Sequence, residues 1–584
     1  MSAATPNRAS SEADTAVHTP SRIDSNEKKV TSTSDADASS SGDIPRDVEA
    51  IKEKNDLQKT AEEKQREGEH DLEPRKEDGK IVLTERAGYL ATGYSFPTWK
   101  KWSILCVIFA VQVSMNFNTS VYPNAVMGVS EKYGVSEQAA RVGQMIFLVA
   151  YAFGCEFWAP WSEEIGRWPV LQISLFLVNI WQILAALAPN YGSLIVARFL
   201  GGLFTAGGSV TLGMVADLWE PDEQQFAVGF VVLSSVGGTS VGPLVGGFIE
   251  AYLPLQWNFW IQLIFGGAVQ IAHFVLVPET RSTILLDREA KRRRKAGQEN
   301  IWGPNEVRTD RFSLKEIGKY WLRPFEMFVR EPIVLWLSLL SGFSDMLIFI
   351  FLESFKLVYE QWGFSTVQIG LAFIPINLGY VLAYLIFIPR FMWERKRRLR
   401  NPDALKPEAR LWLLLFLAPL EALGLFGFAW TSLGPPRVHW IAPMIFSAMI
   451  AVANLAIYLS SIDFMVCSYG VYAASATGGN ALARDFLAGI SAMYATPLYN
   501  RLGLEWASTL LAFLAIIVAI PIYVFYKWGP QIRERSKFAQ TLASDRAANG
   551  GRRTDKDDKA EAGTVWSKEK SSSQPQQQQQ EQQQ

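Results

Sequence analysis

Twelve runs of predominantly apolar residues, each long enough to cross a bilayer core, are the strongest constraint on what this chain can become. They fall near 102–127, 141–161, 168–188, 193–217, 226–250, 257–278, 333–358, 364–388, 411–431, 438–462, 471–497 and 504–527. A membrane helix needs about 20 such residues, because the hydrocarbon core is about 30 Å thick and a helix rises about 1.5 Å per residue. No water reaches the backbone amides there, so spans of this kind must be helical. The expected fold is an all-α integral membrane protein with twelve transmembrane helices. The mean hydropathy of +0.07 hides this, because polar segments at both ends dilute the apolar centre. Composition divides the chain into a disordered N-terminal tail (1–98), six helices (99–278), a basic central loop (279–331), six more helices (332–528) and a Gln-rich disordered tail (529–584).

Charge alternates between the connections. REAKRRRK occupies 288–295 between the two halves, and ERKRRLR occupies 394–400 between spans eight and nine. APNYGS (188–193), EAYLPLQ (250–256) and EQWGFS (360–365), on the other side, have no Lys or Arg. The positive-inside rule places the basic loops and both termini in the cytosol. The loop DLWEPDEQQ at 217–225 has no basic residue, but acidic residues weigh little in that rule. The first thirty residues contain no apolar signal-peptide core, so insertion is expected to begin at the first span. The net charge of -1 says nothing about partners, since the charges are segregated by segment, and no nucleic-acid partner is expected. Four His and three Cys form no metal-ligand cluster or disulfide framework, and no phosphate-cradling GxxxxGK[ST] loop is present. No enzyme activity and no cofactor are expected.

The fifth run reads GFVVLSSVGGTSVGPLVGG from 229 to 247, with Gly238, Gly242 and Gly246 recurring every four residues. On a helix this spacing makes a smooth stripe that another helix can approach closely. Pro243 removes an amide donor and crowds the carbonyl of Thr239, which predicts a kink. The fourth run carries Gly201, Thr205, Ser209 and Gly213 at the same spacing, and AASATGGNALA at 473–483 is the other span dense in small residues.

Gly229, Gly238, Gly242-Pro243 and Gly246-Gly247 together resemble the fifth-helix signature of proton-coupled antiporters in the major facilitator superfamily. The loop APWSEEIGRWPV (159–170) resembles the superfamily's loop motif, with Glu163 at the acidic position, Gly166 at the turn and Arg167 at the basic one. Ala159 and Trp168 depart from its usual Gly and second basic residue. RFLGG at 198–202 is similar to the fourth-helix motif with its intramembrane Arg198. PET at 278–280, SYGVYAASATGGNALARD at 468–485 and KWGPQIRERSKFA at 527–539 resemble the fungal drug:proton antiporter branch that includes polyamine and multidrug exporters. The resemblance covers about 90–540. It implies two pseudo-symmetric six-helix bundles with a cavity between them that opens alternately to either side, with the fifth and eleventh helices as repeat equivalents. It also implies that Asp217, at the inner end of span four, lies near Glu163 and Arg167 as a latch on the loop.

Coupling to protons requires a carboxyl group inside the membrane that can change protonation. Each charge there costs about 2.5 to 3.5 kcal/mol on insertion scales, so every one invites an explanation. The carboxyl groups are Glu156 in span two, Asp345 and Glu353 in span seven, Glu421 in span nine and Asp485 in span eleven, with Arg198 and Arg484 as cations. Asp345 and Glu353 are eight residues apart, on roughly one helix face, and together would offer a proton site and a counter-charge for a cationic substrate. Asp485 is placed to pair with Arg484, and Glu421 suits a structural hydrogen bond. Trp181, Tyr380, Tyr384, Tyr472 and Tyr494 would line the cavity or simply pack.

These features point to a plasma-membrane secondary transporter that exports drugs, polyamines or a secreted secondary metabolite or glycolipid in exchange for protons. The proton gradient is the expected energy source, a small-molecule substrate and the lipid bilayer are the expected partners, and a monomer is expected. Uptake by proton symport, a non-transporting sensor or scaffold, and a vacuolar location remain open alternatives.

Overall fold

A computed structural model describes residues 75–539 except 78–79, 86, 220–222, 299, 308–313, 401–405, 470–471 and 537. Most of both expected tails, 1–74 and 540–584, therefore lies outside the described residues. Among the described residues, twelve helices of membrane-crossing length follow one another. They are α1 (Thr98–Ser120), α2 (Glu137–Glu164), α3 (Arg167–Ala186), α4 (Tyr191–Leu218), α5 (Gln224–Tyr252) and α6 (Trp257–Leu276). The second half supplies α7 (Pro332–Tyr359), α8 (Thr366–Arg398), α9 (Pro407–Thr431), α10 (Ile441–Tyr469), α11 (Ala473–Leu502) and α12 (Leu504–Arg535). Eleven of these are apolar enough to be recognised as spans by composition. The exception, α11, carries Arg484, Asp485 and a run of small residues, and its middle is buried by neighbouring helices.

Local chemistry sets the ends of the helices. Ser136 caps α2 by accepting from the Ala139 amide, and Asn190 and Ser365 form reciprocal capping boxes at the starts of α4 and α8. Gly166 separates α2 from α3 at φ 118°, a region that L side chains rarely enter, and a Cβ there would sit 2.4 Å from a Glu279 carboxylate oxygen. Only glycine satisfies both demands.

The helix pairing repeats with an offset of six. In the first half α1 packs on α5, α2 on α4, and α3 on α6; in the second α7 packs on α11, α8 on α10, and α9 on α12. The two halves meet through α2 on α11 and α5 on α8, pairs that the same offset interchanges. The chain is thus a two-fold pseudo-repeat of six-helix bundles. α1, α7 and α10 are the most enclosed spans. α3, α6 and α12 display exposed Phe176, Leu187, Ile264, Ile271, Phe274, Phe513 and Ile517, an apolar belt suited to lipid.

Two details depart from the sequence expectation. The fourth-span stripe is interrupted, because Ala206–Ser209 tightens into a 3₁₀ turn inside α4. The Cβ of a residue at 207 would fall 2.1 Å from Ser174 Oγ, so the backbone is drawn against α3 there. The N-terminal tail expected to run to residue 98 ends earlier. Strands β1 (Arg75–Glu77) and β2 (Lys80–Val82) pair antiparallel, and β2 pairs in parallel with β3 (Ile301–Trp302) of the central loop. Ser282 Oγ donates to Glu85 Oε1 at 2.6 Å, at the start of the loop helix Ser282–Lys295. Tyr94 Oη donates to the Ala216 carbonyl of α4 at 3.1 Å. The basic central loop and the pre-span segment thus form one small cap on the end of the molecule that carries the basic connections, hereafter the basic end.

Candidate functional site

Midway along α7 and α11, three ionisable side chains are buried together. Asp345, Arg484 and Asp485 retain only 8%, 6% and 4% of their exposure. Arg484 Nη2 and Nε each donate to Asp485 Oδ1 at 3.1 Å, and Nε lies 3.7 Å from Asp345 Oδ2. The guanidinium also stacks 4.4 Å over the ring of Tyr458 from α10. Tyr151 and Cys155 of α2 lie within electrostatic reach of the pair, which places the cluster where the two halves meet. Asp485 Oδ2 and Tyr380 Oη are buried with no hydrogen-bond partner. One guanidinium therefore serves two carboxylates. With all three ionised the site holds one uncompensated negative charge, which a single proton or a cationic group cancels.

Glu353 does not join this cluster. Eight residues correspond to about 12 Å along a helix, too far for one small charge to serve both acids, and Glu353 faces a different helix. Its Oε2 accepts from Arg141 Nε of α2 at 2.9 Å, an ion pair between the two halves at the end opposite the basic loops. Arg141 was not singled out by sequence because it lies at the edge of an apolar run and follows Glu137, which reads as an ordinary i,i+4 surface pair.

The remaining acids have separate surroundings. Glu156 of α2 is buried against Gly478 of α11, and its Oε1 has no partner. Glu421 accepts a short hydrogen bond from Ser344 Oγ, which in turn accepts from Asn454 Nδ2 at 3.1 Å, tying α9, α7 and α10 together. Arg198 is 1% exposed and lies between the rings of Tyr122 and Phe147, with its guanidinium carbon 4.4 and 4.0 Å from their centres. It donates to the carbonyls of Gly143 (3.2 Å) and Asn118 (3.4 Å), and among the described residues no carboxylate forms an ion pair with it. Arg198 thus pins α1, α2 and α4 together. Of the aromatic residues expected in the cavity, Tyr380 adjoins the cluster through Asp345, beside Tyr458, which sequence did not single out. Tyr384 Oη donates to the Phe226 carbonyl, Tyr494 Oη to Met346 Sδ, and Tyr472 packs edge-to-face against Phe538.

At the basic end Arg167 Nε donates to Asp217 Oδ2 at 2.9 Å and Nη1 to Ser162 Oγ at 2.6 Å. Arg281 adds a second contact to Asp217 at 3.4 Å. Glu279 accepts from the backbone amides of Arg167 and Trp168, so its charge sits at the N-terminus of α3. Glu163 is half-buried beside this group and makes no ion pair among the described residues. Glu279 and Arg281 are structural partners of this group that the loop motif by itself does not reveal. The second half has an equivalent. Arg410 Nη1 donates to Asp463 Oδ2 at 2.8 Å and lies 3.1 Å from Glu394, and Gln225 of α5 crosses from the first half to Asp463 (2.9 Å) and Glu394 (3.2 Å). Comparing the two halves at an offset of about 245 residues would have found Arg410 and Asp463.

The glycines of α5 face two different partners. A Cβ at 238, 242 or 246 would strike Asn116, Ser120 or Asn124, all from α1 or the turn that follows it. A Cβ at 229 or 247 would strike Tyr384 or the Thr366 carbonyl of α8, in the other half. α5 is helical without interruption through Pro243, whose carbonyl approaches Gly370 of α8. The stripe is therefore a packing seam within one bundle, and the flanking glycines form the seam between bundles.

Links close both ends of the interface at once. The Arg141–Glu353 pair spans one end; Gln225, together with a short contact from Arg395 to Glu223, spans the other. The central cluster is thus enclosed.

The family model described as Major Facilitator Superfamily matches residues 104–492. The Ascochitine biosynthesis cluster MFS transporter of Didymella fabae is 32% identical over 457 residues, covering 77% of this chain and 87% of the relative. The Citrinin biosynthesis cluster MFS transporter mrr1 of Monascus ruber is 31% identical over 455 residues, covering 76% and 89%. Among solved structures, the xylose transporter XylE from E. coli, in a partially occluded inward-open conformation, aligns with a TM-score of 0.51 at 15% identity, covering 73% of this chain and 98% of its own. That likeness concerns the fold. With two six-helix bundles enclosing a charged centre, the chain belongs to the major facilitator superfamily and is a non-enzymatic, multi-pass membrane transporter of small organic compounds.

Proposed function

We propose that this transporter exports small organic compounds across the cell membrane in exchange for protons, by alternating access, as a monomer with its basic end in the cytosol. The observation that carries the reading is the shortage of one positive charge at the Asp345–Arg484–Asp485 cluster. A buried uncompensated charge is costly. The enclosed site is therefore best satisfied by one proton or one positively charged or hydrogen-bond-donating cargo group, and not by both. Mutual exclusion of that kind is the requirement for exchange. The bare sides of Asp485 Oδ2 and Tyr380 Oη provide acceptor and donor positions for the cargo.

The energetics are adequate. A proton moving down 100 mV yields about 2.3 kcal/mol, which supports roughly a fiftyfold concentration ratio. The relatives named for biosynthesis clusters favour a secreted secondary metabolite as cargo, and the polyamine and multidrug exporters remain within the same chemistry. Deleting the gene in its native cell and comparing extracellular metabolites and drug sensitivity tests export. In proteoliposomes carrying a lumenal pH dye, spermidine, rhodamine 6G and citrinin serve as cargo probes. Cargo-dependent proton flux opposite to cargo flux is expected from the wild-type chain and is expected to be lost in Asp345→Asn. Flux of both in the same direction would refute antiport.

A further inference from the structure

Arg141 stands between two carboxylates of unlike surroundings. Its Nε donates to Glu353 Oε2 at 2.9 Å and its Nη2 to Glu137 Oε2 at 3.2 Å. The Glu353 side chain is 6% exposed and belongs to α7 of the second half, whereas Glu137 is 52% exposed and lies one turn away on α2 itself. Only the first bond joins the halves. α11 converges on the same point, where Gln138 Nε2 donates to the Met493 carbonyl at 2.6 Å and Thr496 Oγ1 to Glu353 Oε2 at 3.5 Å. The second carboxylate oxygen of Glu353 is buried without a partner.

We propose that Arg141 is the switch of the gate at this end. Its guanidinium is held by both Glu353, which ties the bundles together, and Glu137, which does not; protonation of Glu353 releases the first contact and leaves Arg141 with Glu137 alone, which loosens the bundles at this end. The inference rests on the proton-coupled reading above and adds a second proton-dependent element, about 12 Å along α7 from the central cluster.

A close pair shielded from water holds more tightly than an exposed i,i+4 pair, so Arg141 stays with an ionised Glu353. Once Glu353 is neutral, the guanidinium keeps only the half-exposed Glu137 as counter-charge, and nothing offsets the desolvation of the part that faces Glu353. The alternative partner is already in contact, so no new group has to be recruited. The ionisable and polar groups that face Glu353 are Arg141 and Glu137 from α2 and Thr496 from α11. On α7 the neighbouring charges are Lys356, exposed one turn away, and Asp345, two turns away. Under the proposed orientation this end faces outside, the side from which protons enter.

The test uses the full chain in sealed vesicles, with Cys106, Cys155 and Cys467 replaced by serine and a Met145→Cys reporter. Met145 lies one turn below Arg141, and its carbonyl packs against Gly489 of α11. Labelling by a membrane-impermeant maleimide is measured from about pH 8 to about pH 5.5 outside and divided by labelling of an exposed Glu131→Cys control, which removes the pH dependence of the thiol itself. The ratio should rise on the order of tenfold as the pH falls, should be high at both pH values in Glu353→Gln, and should require more acid in Glu137→Gln. Arg141→Lys, which keeps the cation, should retain a pH response. A wild-type ratio that ignores pH, or a Glu353→Gln ratio that follows wild type, overturns the switch. Proton-coupled cargo flux measured in parallel separates the two readings: flux that survives with an unresponsive reporter refutes the switch alone, and a responsive reporter without proton coupling refutes the proposed function alone.

Discussion

Gly242→Ala is the sharpest probe of what the glycine stripe does. The added Cβ would lie 2.0 Å from Ser120 Oγ and 2.7 Å from the Ser120 carbonyl carbon. The hydroxyl can rotate away, but the carbonyl carbon is main chain and falls about 0.7 Å short of ordinary contact. α1 must therefore retreat from α5 along a seam that also includes Gly238 and Gly246. Overpacking of this kind costs about 1 to 3 kcal/mol, which lowers the folded-to-unfolded ratio between about fivefold and about 150-fold. α1 and α5 belong to the same bundle, so the strain is present in every transport state and appears as lost stability. The internal control is Gly237→Ala on the same helix. The nearest atom to its Cβ is Asn377 Oδ1 at 4.0 Å, and the better helix propensity of alanine makes it neutral or stabilising by up to about 1 kcal/mol. Gly247→Ala provides the contrast, because its Cβ would meet the Thr366 carbonyl at 2.9 Å across the bundle interface, and rocking the halves apart relieves it. Unfolding in one fixed detergent, followed by tryptophan fluorescence, should order the variants Gly242→Ala below Gly247→Ala below Gly237→Ala, with Gly247→Ala changing transport rate more than stability. Equal stability of the 242 and 237 variants would refute the packing argument.

The loop cluster and the cap make further predictions. Asp217→Asn leaves the buried Arg167 facing a neutral amide and should cost about 3 to 5 kcal/mol in thermal or denaturant unfolding. Glu163→Gln, which breaks no direct ion pair, should stay within about 0.5 kcal/mol of wild type. In the cap, the hydrogen bonds from Arg294 hold the Glu306 carboxyl below the usual carboxylate range, with Gly303 and Lys291 adding to the effect. Its folded value is the lower one, so its stabilisation is fully present above the ordinary carboxylate value of about 4.3 and fades as pH falls through the depressed one. Limited proteolysis around residues 296–300 should increase below that pH in wild type, and at all pH values in Glu306→Gln.

The sequence alone determined the number of membrane helices, their division into two halves and the positions of most buried charges. Those properties rest on local physics, since a bilayer demands about 20 apolar residues per crossing and makes each charge within them conspicuous. α11, less apolar than the other spans, is still legible as the run at 471–497. Which charges meet was not legible, because pairing across bundles joins residues 212 positions apart in the Arg141–Glu353 case, and no periodicity along one helix encodes a partner on another. Spacing put Asp345 and Glu353 on one face of α7, yet tertiary packing gave the first to Arg484 and the second to Arg141. It likewise divided the glycines of α5 between α1 and α8. A helix presents its whole circumference to different neighbours, and a sequence reports the circumference without naming them.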